Sequence, residues 1–314
     1  MIESNTAAER IEGLVINSTG SWYEVLHEGE RLQCRIRGKL RLKGVRSTNP
    51  VVVGDVVRVE EDEQGGYVIS AIEPRRNYII RRASNLSKES HIIAANIDMA
   101  LLVVTLFSPE TATEFIDRFL VTCEAYKVPV TILLAKIDLA RTKPEAVEEF
   151  HAIYESAGYR IIEVSATEGE GVEEVRELLH GKTTLLSGNS GVGKSTLVAA
   201  VEPGLDIRTG EISQSHHKGK HTTTFSTMYP LSNGGYIIDT PGIKGFGLID
   251  IEDAELAHYF PEMMRFLPDC RFYNCSHTHE PHCAVVEAVK RGEIAYPRYE
   301  SYLKMMDEDD KYRK

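Results

Sequence analysis

Thr183-Thr184-Leu185-Leu186-Ser187 runs into Gly188-Asn189-Ser190-Gly191-Val192-Gly193-Lys194-Ser195 and leaves as Thr196-Leu197-Val198-Ala199-Ala200. A short apolar strand, a glycine-rich turn ending in Lys-Ser and a helical start make the phosphate-binding loop in the context that gives the pattern its meaning. Glycines let backbone N–H groups wrap a phosphate, and the helix N-terminus adds positive potential. Lys194 is placed for the β- and γ-phosphates, Ser195 for Mg²⁺, and Thr196 opens the helix beneath them. A nucleoside triphosphate is implied. The base is not.

Working outward, Tyr236-Ile237-Ile238-Asp239-Thr240-Pro241-Gly242 closes another apolar strand on an acid and a glycine turn, the arrangement that holds Mg²⁺ through Asp239 and meets the γ-phosphate at Gly242. Upstream, Leu133-Leu134-Ala135-Lys136-Ile137-Asp138 and Val164-Ser165-Ala166 also close apolar strands. These two are similar to the guanine-specifying elements of GTPases. An aspartate at position 138 accepts hydrogen bonds from guanine N1 and N2, which adenine does not offer, and the wrong base leaves a carboxylate unpaired. All four motifs fall at strand ends, where ligands bind in open α/β sheets.

The remaining texture from Arg76 onward fits such a sheet. Met99–Thr105 is a continuous apolar strand, Thr111–Tyr126 carries Phe115, Phe119, Leu120 and Cys123 on one helical stripe, and Val128–Leu134 is a strand. Helix Pro144–Ser156, strand Arg160–Val164, helix Gly171–His180 and strand Thr183–Leu186 follow, the alternation of a parallel sheet covered on both faces. The basic stretch Arg75, Arg76, Arg81, Arg82 precedes it.

Before Arg76 lie five short strands, at Gly13–Ile16, Trp22–Leu26, Arg31–Ile36, Val56–Glu60 and Tyr67–Ile72, which suggest a small barrel of the oligonucleotide-binding type. Between Arg31 and Arg46 stand seven Lys or Arg residues and no acid, and Arg35, Arg37, Lys39, Arg41 and Lys43 are spaced by two, so on a strand they share one face. Alternation alone expects a solvated face. The single sign of charge, in a chain of formal net charge −11, favours an RNA contact instead.

At the other end, Cys270-x₄-Cys275-x-His277-x₅-Cys283 offers three thiolates and an imidazole, a closed tetrahedral set for one structural Zn²⁺, with His279 and His282 as competing nitrogen donors. Cys34 and Cys123 read as ordinary buried thiols. The flanking segments Glu252–Leu267 and Ala284–Arg291 read as helices, and about 65 residues are expected to bury little core, so zinc would supply folding free energy.

The whole chain, 314 residues with 42% apolar and 26% charged, is of ordinary globular composition. Its longest apolar run, Met99 to Phe107, falls well short of the about 20 residues that span a membrane. The N-terminus MIESNTAAER lacks the basic-then-apolar profile of a signal peptide. A soluble, cytoplasmic protein without a membrane partner is expected.

The order of the motifs is unusual: Asp138 and Ser165 precede Gly188, whereas in an ordinary GTPase the phosphate-binding loop comes first. A circularly permuted GTPase domain, preceded by an OB-type β-barrel and followed by a mostly α-helical zinc-binding domain, resembles the ribosome small subunit-dependent GTPase A family over essentially the whole chain. The domains would be 1–75, 76–248 and 249–314. The resemblance implies that Gly219-Lys220-His221-Thr222-Thr223-Thr224 is switch I, with Thr223 closing on Mg²⁺ and the γ-phosphate. It also implies His221 as the catalytic residue, because Ile243 follows Gly242 where Ras-like GTPases carry a water-orienting Gln. It implies a monomer that binds the 30S subunit and its rRNA with GTP, acts late in small-subunit maturation, hydrolyses GTP to GDP and departs. Ala135 stands where the family pattern has Asn, whose amide would touch the base and tie neighbouring loops, so guanine selectivity should be weakened but kept by Asp138. Two other functions compete: an RNA-binding assembly factor with incidental turnover, and a P-loop ATPase or kinase.

Overall fold

The computed structural model describes residues 11–19, 21–36, 50–62, 64–82, 90–205, 226–239 and 251–307. The first strands are β1 (Ile11–Ser18), β2 (Tyr23–His27), β3 (Glu30–Ile36), β4 (Val56–Glu61) and β5 (Tyr67–Ile72). They pair in the order β1-β2-β3-β5-β4 and close through β4 onto β1, with β3 and β5 parallel and the other pairs antiparallel. This is a five-stranded barrel of the expected type. Alternation along each strand sends Val15, Tyr23, Val25, Cys34, Val57, Val59 and Ile69 inward. A buried ion pair, Arg75 to Asp55 at 2.6 Å, pins the segment before β4 to the residues that leave β5.

The stretch around Arg81 and Arg82, read from sequence only as basic, is strand β6 (Tyr78–Arg82), paired with β7 (Ser90–Ala95). Arg75 and Arg76 are committed to Asp55 and Asp98.

The central layer then proceeds as β8 (Met99–Val104), α1 (Thr113–Ala125), β9 (Val130–Ala135), α2 (Ile137–Ala140), α3 (Pro144–Ser156), β10 (Arg160–Val164), α4 (Val172–Leu179), β11 (Thr183–Ser187), α5 (Lys194–Val201), β12 (Thr227–Pro230) and β13 (Tyr236–Asp239). Strands β10-β9-β8-β11-β13 are parallel, and β12 runs antiparallel at the side of β13. β8 is buried throughout because both faces are covered: Ala100, Leu102 and Val104 join one core and Met99, Leu101 and Val103 the other. Expected and observed boundaries agree within two residues for β8 to β11. Strand β12 pairs once with β1, at Asn17 and Thr227, so sheet and barrel form one continuous ladder.

The C-terminal segment departs further from the expectation. The single helix read over Glu252–Leu267 is broken into α6 (Asp253–Leu256), a 3₁₀ turn at Ala257–Tyr259 and α7 (Pro261–Met264). Pro261 has no N–H to continue the earlier helix and starts a new one instead. After α8 (Ala284–Lys290) comes a helix the sequence reading lacked, α9 (Tyr296–Met306). Nor is the core small. Leu256, Phe260, Met263, Val285, Ala288, Ile294, Tyr302 and Met305 are buried together with Val121 of α1, because the segment packs on the central domain and does not have to bury apolar surface by itself.

Candidate nucleotide and metal sites

Parallel strands place their carboxyl ends along one edge, and every base and phosphate motif within the described residues sits there. Gly188 leaves β11 at φ +145°, and a Cβ would lie 2.4 Å from the Val103 carbonyl, so only glycine lets the loop turn this close to β8. Gly193, at φ +102°, is the N-cap of α5. Lys194 follows it and donates from Nζ to the carbonyls of Gly188 (2.6 Å) and Asn189 (2.8 Å), folding back over its own loop. Burial pushes its ammonium below the ordinary lysine pKa, and the Asp239 carboxylate opposes that shift.

Asp239 ends β13 in register with Leu186 of β11 and is buried. Ser195 stands half-buried in the first turn of α5. Buried carboxylate and hydroxyl oxygens beside a phosphate loop are the hard donors Mg²⁺ prefers.

The base motif is tied to the same loop. Ala135, the last residue of β9, is buried; Lys136 takes a left-handed conformation (φ 56°, ψ 41°) and donates from Nζ to Ser108 (2.5 Å) and Gly191 (2.9 Å) carbonyls. One side chain thereby bridges the base motif, the loop after β8 and the phosphate loop. Ile137 is buried and Asp138 exposed on the single turn of α2. Ser165 is buried at the end of β10: its N–H donates to the Glu170 carbonyl (3.0 Å) and its hydroxyl accepts from the Glu168 N–H (3.3 Å), with Ala166 half-buried beside it.

His221, Thr223 and Gly242, and the cations Arg37, Lys39, Arg41 and Lys43, lie outside the described residues. Arg35 is described. It is exposed on β3, its guanidinium 4.0 Å from the ring centre of Trp22.

In the C-terminal segment, the donor atoms of Cys270, Cys275, His277 and Cys283 all lie within 4.8 Å of one another. His277 Nδ1 is 3.5 Å from the sulfurs of both Cys270 and Cys283, and those sulfurs are 4.0 Å apart. A zinc tetrahedron with Zn–S of about 2.3 Å and Zn–N of about 2.0 Å has edges of about 3.5 Å between N and S and about 3.8 Å between sulfurs. Cys270, His277 and Cys283 match these edges, and Cys275 lies within 4.8 Å of all three. Burial pushes the Cys275 thiol up to about 12 and the Cys283 thiol above its ordinary value, while it lowers the His277 imidazole. A bound cation would favour the thiolates, and the lowered imidazole favours the neutral form that binds metal. His279 bonds instead to the Thr278 hydroxyl and is exposed, and His282 is no part of the group.

Two families of sequence model match the chain: one described as RsgA GTPase over residues 72–249, the other as RsgA N-terminal domain over residues 12–69. The chain belongs to the RsgA GTPase family. As a member it is a GTP-hydrolysing enzyme. It is 54% identical over 308 residues to the small ribosomal subunit biogenesis GTPase RsgA of Bacteroides fragilis, covering 96% of this chain and 99% of that one. Identity to the protein of the same name from Porphyromonas gingivalis is also 54%, over 311 residues, with 96% and 98% covered. Among solved structures, YjeQ from Thermotoga maritima matches at TM-score 0.76 and 38% identity, covering 95% of this chain and 97% of that one. YloQ, titled a circularly permuted GTPase, matches at 0.73 and 29%, with 97% and 96% covered. The permuted order read from the motifs is thus a property of the fold.

Sequence reasoning missed several residues around the sites of this RsgA family member. Ser108 serves through its carbonyl, which no motif signals. Tyr299 and Tyr302 donate from their hydroxyls to the carbonyls of His277 (2.8 Å) and Ser276 (2.7 Å), holding the ligand loop from α9. Glu280 accepts from the N–H groups of Ser276 and Thr278 and from the Ser276 hydroxyl, and these bonds hold its carboxyl well below the usual range against the opposing effect of burial. An acid inside a short Cys/His loop was the available signal for Glu280.

Proposed function

We propose that this GTPase binds GTP along the edge shared by β9, β10, β11 and β13, and acts in late maturation of the small ribosomal subunit. Its GTP-bound form would engage the 30S particle, and hydrolysis, stimulated by that particle, would release it. What carries the reading is the Lys136 bridge: one side chain joins the base motif to the phosphate loop through the Gly191 carbonyl at 2.9 Å, and to the loop after β8 through the Ser108 carbonyl at 2.5 Å, as the two ends of a single nucleotide site would require.

In this reading Asp138 accepts from guanine N1 and N2, and Lys136, Ile137, Ser165 and Ala166 shape the base pocket around Ala135. The loop from Gly188 to Ser195 wraps the phosphates with N–H groups, and Lys194 exchanges its two carbonyls for β- and γ-phosphate oxygens. Ser195, Thr223 and Asp239 would hold Mg²⁺, which when bound neutralises phosphate charge. His221 orients the water that attacks the γ-phosphorus, and the bond from that phosphorus to the bridging oxygen breaks to leave GDP. Gly242 reports the loss of the γ-phosphate to the segment that follows. Cys270, Cys275, His277 and Cys283 would hold one structural Zn²⁺, with no open position for chemistry. The barrel, residues 1–75 in this division, presents Arg35, Arg37, Lys39, Arg41 and Lys43 to rRNA; residues 76–248 form the GTPase domain and 249–314 the zinc domain. The protein works in the cytoplasm as a monomer, and no described helix is long and apolar enough to cross a membrane.

Three measurements test this. Competition of GTP against ATP for the site should favour GTP; equal competition would support a broader P-loop nucleotidase. Multiple-turnover hydrolysis should rise on adding 30S subunits, and an unchanged rate would favour an RNA-binding factor with incidental turnover. His221→Ala should lower turnover and leave GTP affinity within a few-fold, since a group acting on the attacking water contributes to the transition state.

A further inference from the structure

The two base-recognition elements end neighbouring strands, and a side chain outside both motifs spans them. Arg141 caps the C-terminus of α2, three residues after Asp138. Its Nη1 donates to Glu170 Oε2 at 2.9 Å and its Nη2 to Glu170 Oε1, a two-pronged grip. Nη2 also donates to Glu163 Oε2 at 3.2 Å. Glu163 lies two residues before Ser165, and the Glu170 carbonyl accepts from the Ser165 N–H, so Arg141 holds both shoulders of the Ser165 loop. Glu163 is itself steadied by His151 Nε2 at 3.1 Å. The loop has little slack: a Cβ on Gly171 would lie 2.2 Å from the Glu163 carbonyl.

Such a tie has work to do here. Asp138 sits on a helix of four residues, too short to hold its own orientation. Lys136 fixes that helix toward the phosphate loop, and the side chain of Ala135, which pairs with Val164 only through the backbone ladder, has no hydrogen-bonding group to fix it toward the Ser165 loop. We propose that Arg141 is the positioning residue of guanine recognition, clamping the Asp138 helix to the Ser165 loop through Glu170 and Glu163. The inference rests on the reading of Asp138 and Ser165 as base-contacting.

The test is titration of the full-length protein with N-methylanthraniloyl GDP and the corresponding ADP, alongside steady-state GTP turnover. Arg141→Gln should weaken GDP about two- to fivefold, the scale of one exposed ion pair. ADP binding should not change, KM for GTP should rise and kcat should stay. Arg141→Lys, which keeps the charge but loses the fork, should fall between. Added NaCl should bring wild-type GDP affinity toward that of Arg141→Gln, because exposed charges are screened. In an Ala135→Asn background, where a second tie is available, the loss from Arg141→Gln should shrink. Asp138→Ala separates the two layers of the inference. If it abolishes the preference for GDP over ADP while Arg141→Gln matches wild type, the clamp is wrong and the base site stands. If Asp138→Ala keeps the preference, the base site is wrong and the clamp falls with it. Equal loss of GDP and ADP affinity in Arg141→Gln would make Arg141 a merely structural residue and overturn the proposal.

Discussion

Where the barrel meets the sheets beside it, hydrogen bonds to backbone groups join them and apolar side chains fill in behind: β1 pairs with β12 at Asn17 and Thr227, the Ala95 N–H donates to the Val53 carbonyl at 2.9 Å, Asn96 Nδ2 donates to the Gly54 carbonyl at 2.8 Å, and Ile16 and Val53 pack into the core of the central sheet. Where the C-terminal helices meet it, the contacts are side chains. Arg298 of α9 is fully buried, donating to Asp117 of α1 and Glu262 of α7 at 2.7 Å each, with its guanidinium 4.7 Å from the ring centre of Phe260. Backbone hydrogen bonds are indifferent to most side chains but reject one where there is no room. A side-chain seam can hinge on a single residue.

Removing that residue should give the largest effect. Arg298→Met leaves Asp117 and Glu262 facing each other without a cation, a loss of about 3–5 kcal/mol for a broken buried pair. Urea unfolding should show it, with protease sensitivity appearing first within 251–307. Adding Asp117→Asn and Glu262→Gln should recover part of the loss; no recovery would mean that packing, and not charge, makes this seam.

The backbone seam breaks at Gly54. It sits at φ +89°, and a Cβ would lie 2.0 Å from the Ala95 carbonyl. Gly54→Ala should cost about 1–3 kcal/mol, the scale of a strained backbone site, read as an earlier transition of Trp22 fluorescence, the only tryptophan in the chain. Substitution of the neighbouring Asn17 by Ser should do much less, and a comparable loss there would show that the seam depends on side chains after all.

Zinc should matter more locally. Cys270→Ser should remove about one Zn²⁺ per chain, measured by metal analysis, and raise amide exchange across residues 270–283. Helix α9 should stay protected, because its own core and Arg298 hold it. Exchange spreading through α9 would instead make zinc the keystone of the C-terminal seam.

The smallest change to the fold, none at all, is expected from Arg37→Gln, Lys39→Gln and Arg41→Gln together. Their effect should appear only in 30S binding, where the salt slope falls by about 0.7 to 0.9 per lost phosphate contact. An unchanged slope would return these cations to solvent.

What the sequence disclosed follows from how local each signal is. Helix α3 and strand β10 were read to the residue, since Pro144 opens one and Gly158 separates them. The three cysteines and His277 were legible because all four lie within one short segment. Helix α9 was not, since YPRYESYLKMM mixes charge with aromatic residues and its buried face is centred on an arginine. That arginine becomes intelligible only when Asp117, 181 residues away in the chain, is beside it. The Arg141 clamp was hidden likewise: its partner Glu170 is 29 residues distant, and Arg141 is exposed while Glu170 is half-buried.

The permuted strand order also sets a timetable for the nascent chain. Of the parallel strands, β8, β9 and β10 leave the ribosome first and are neighbours in that order, so half the sheet can assemble with the ends that carry Asp138 and Ser165 complete. β11, carrying the phosphate loop, comes later and docks on the opposite side of β8, whose hydrogen-bonding edge is bare until then. The single pairing of β1 with β12 waits longer still, since β12 is made some two hundred residues after β1, whereas β2 and β4 pair with β1 much earlier. GTP therefore cannot lend binding free energy to the early half of this sheet, and rewards folding only once Ser195 has been translated.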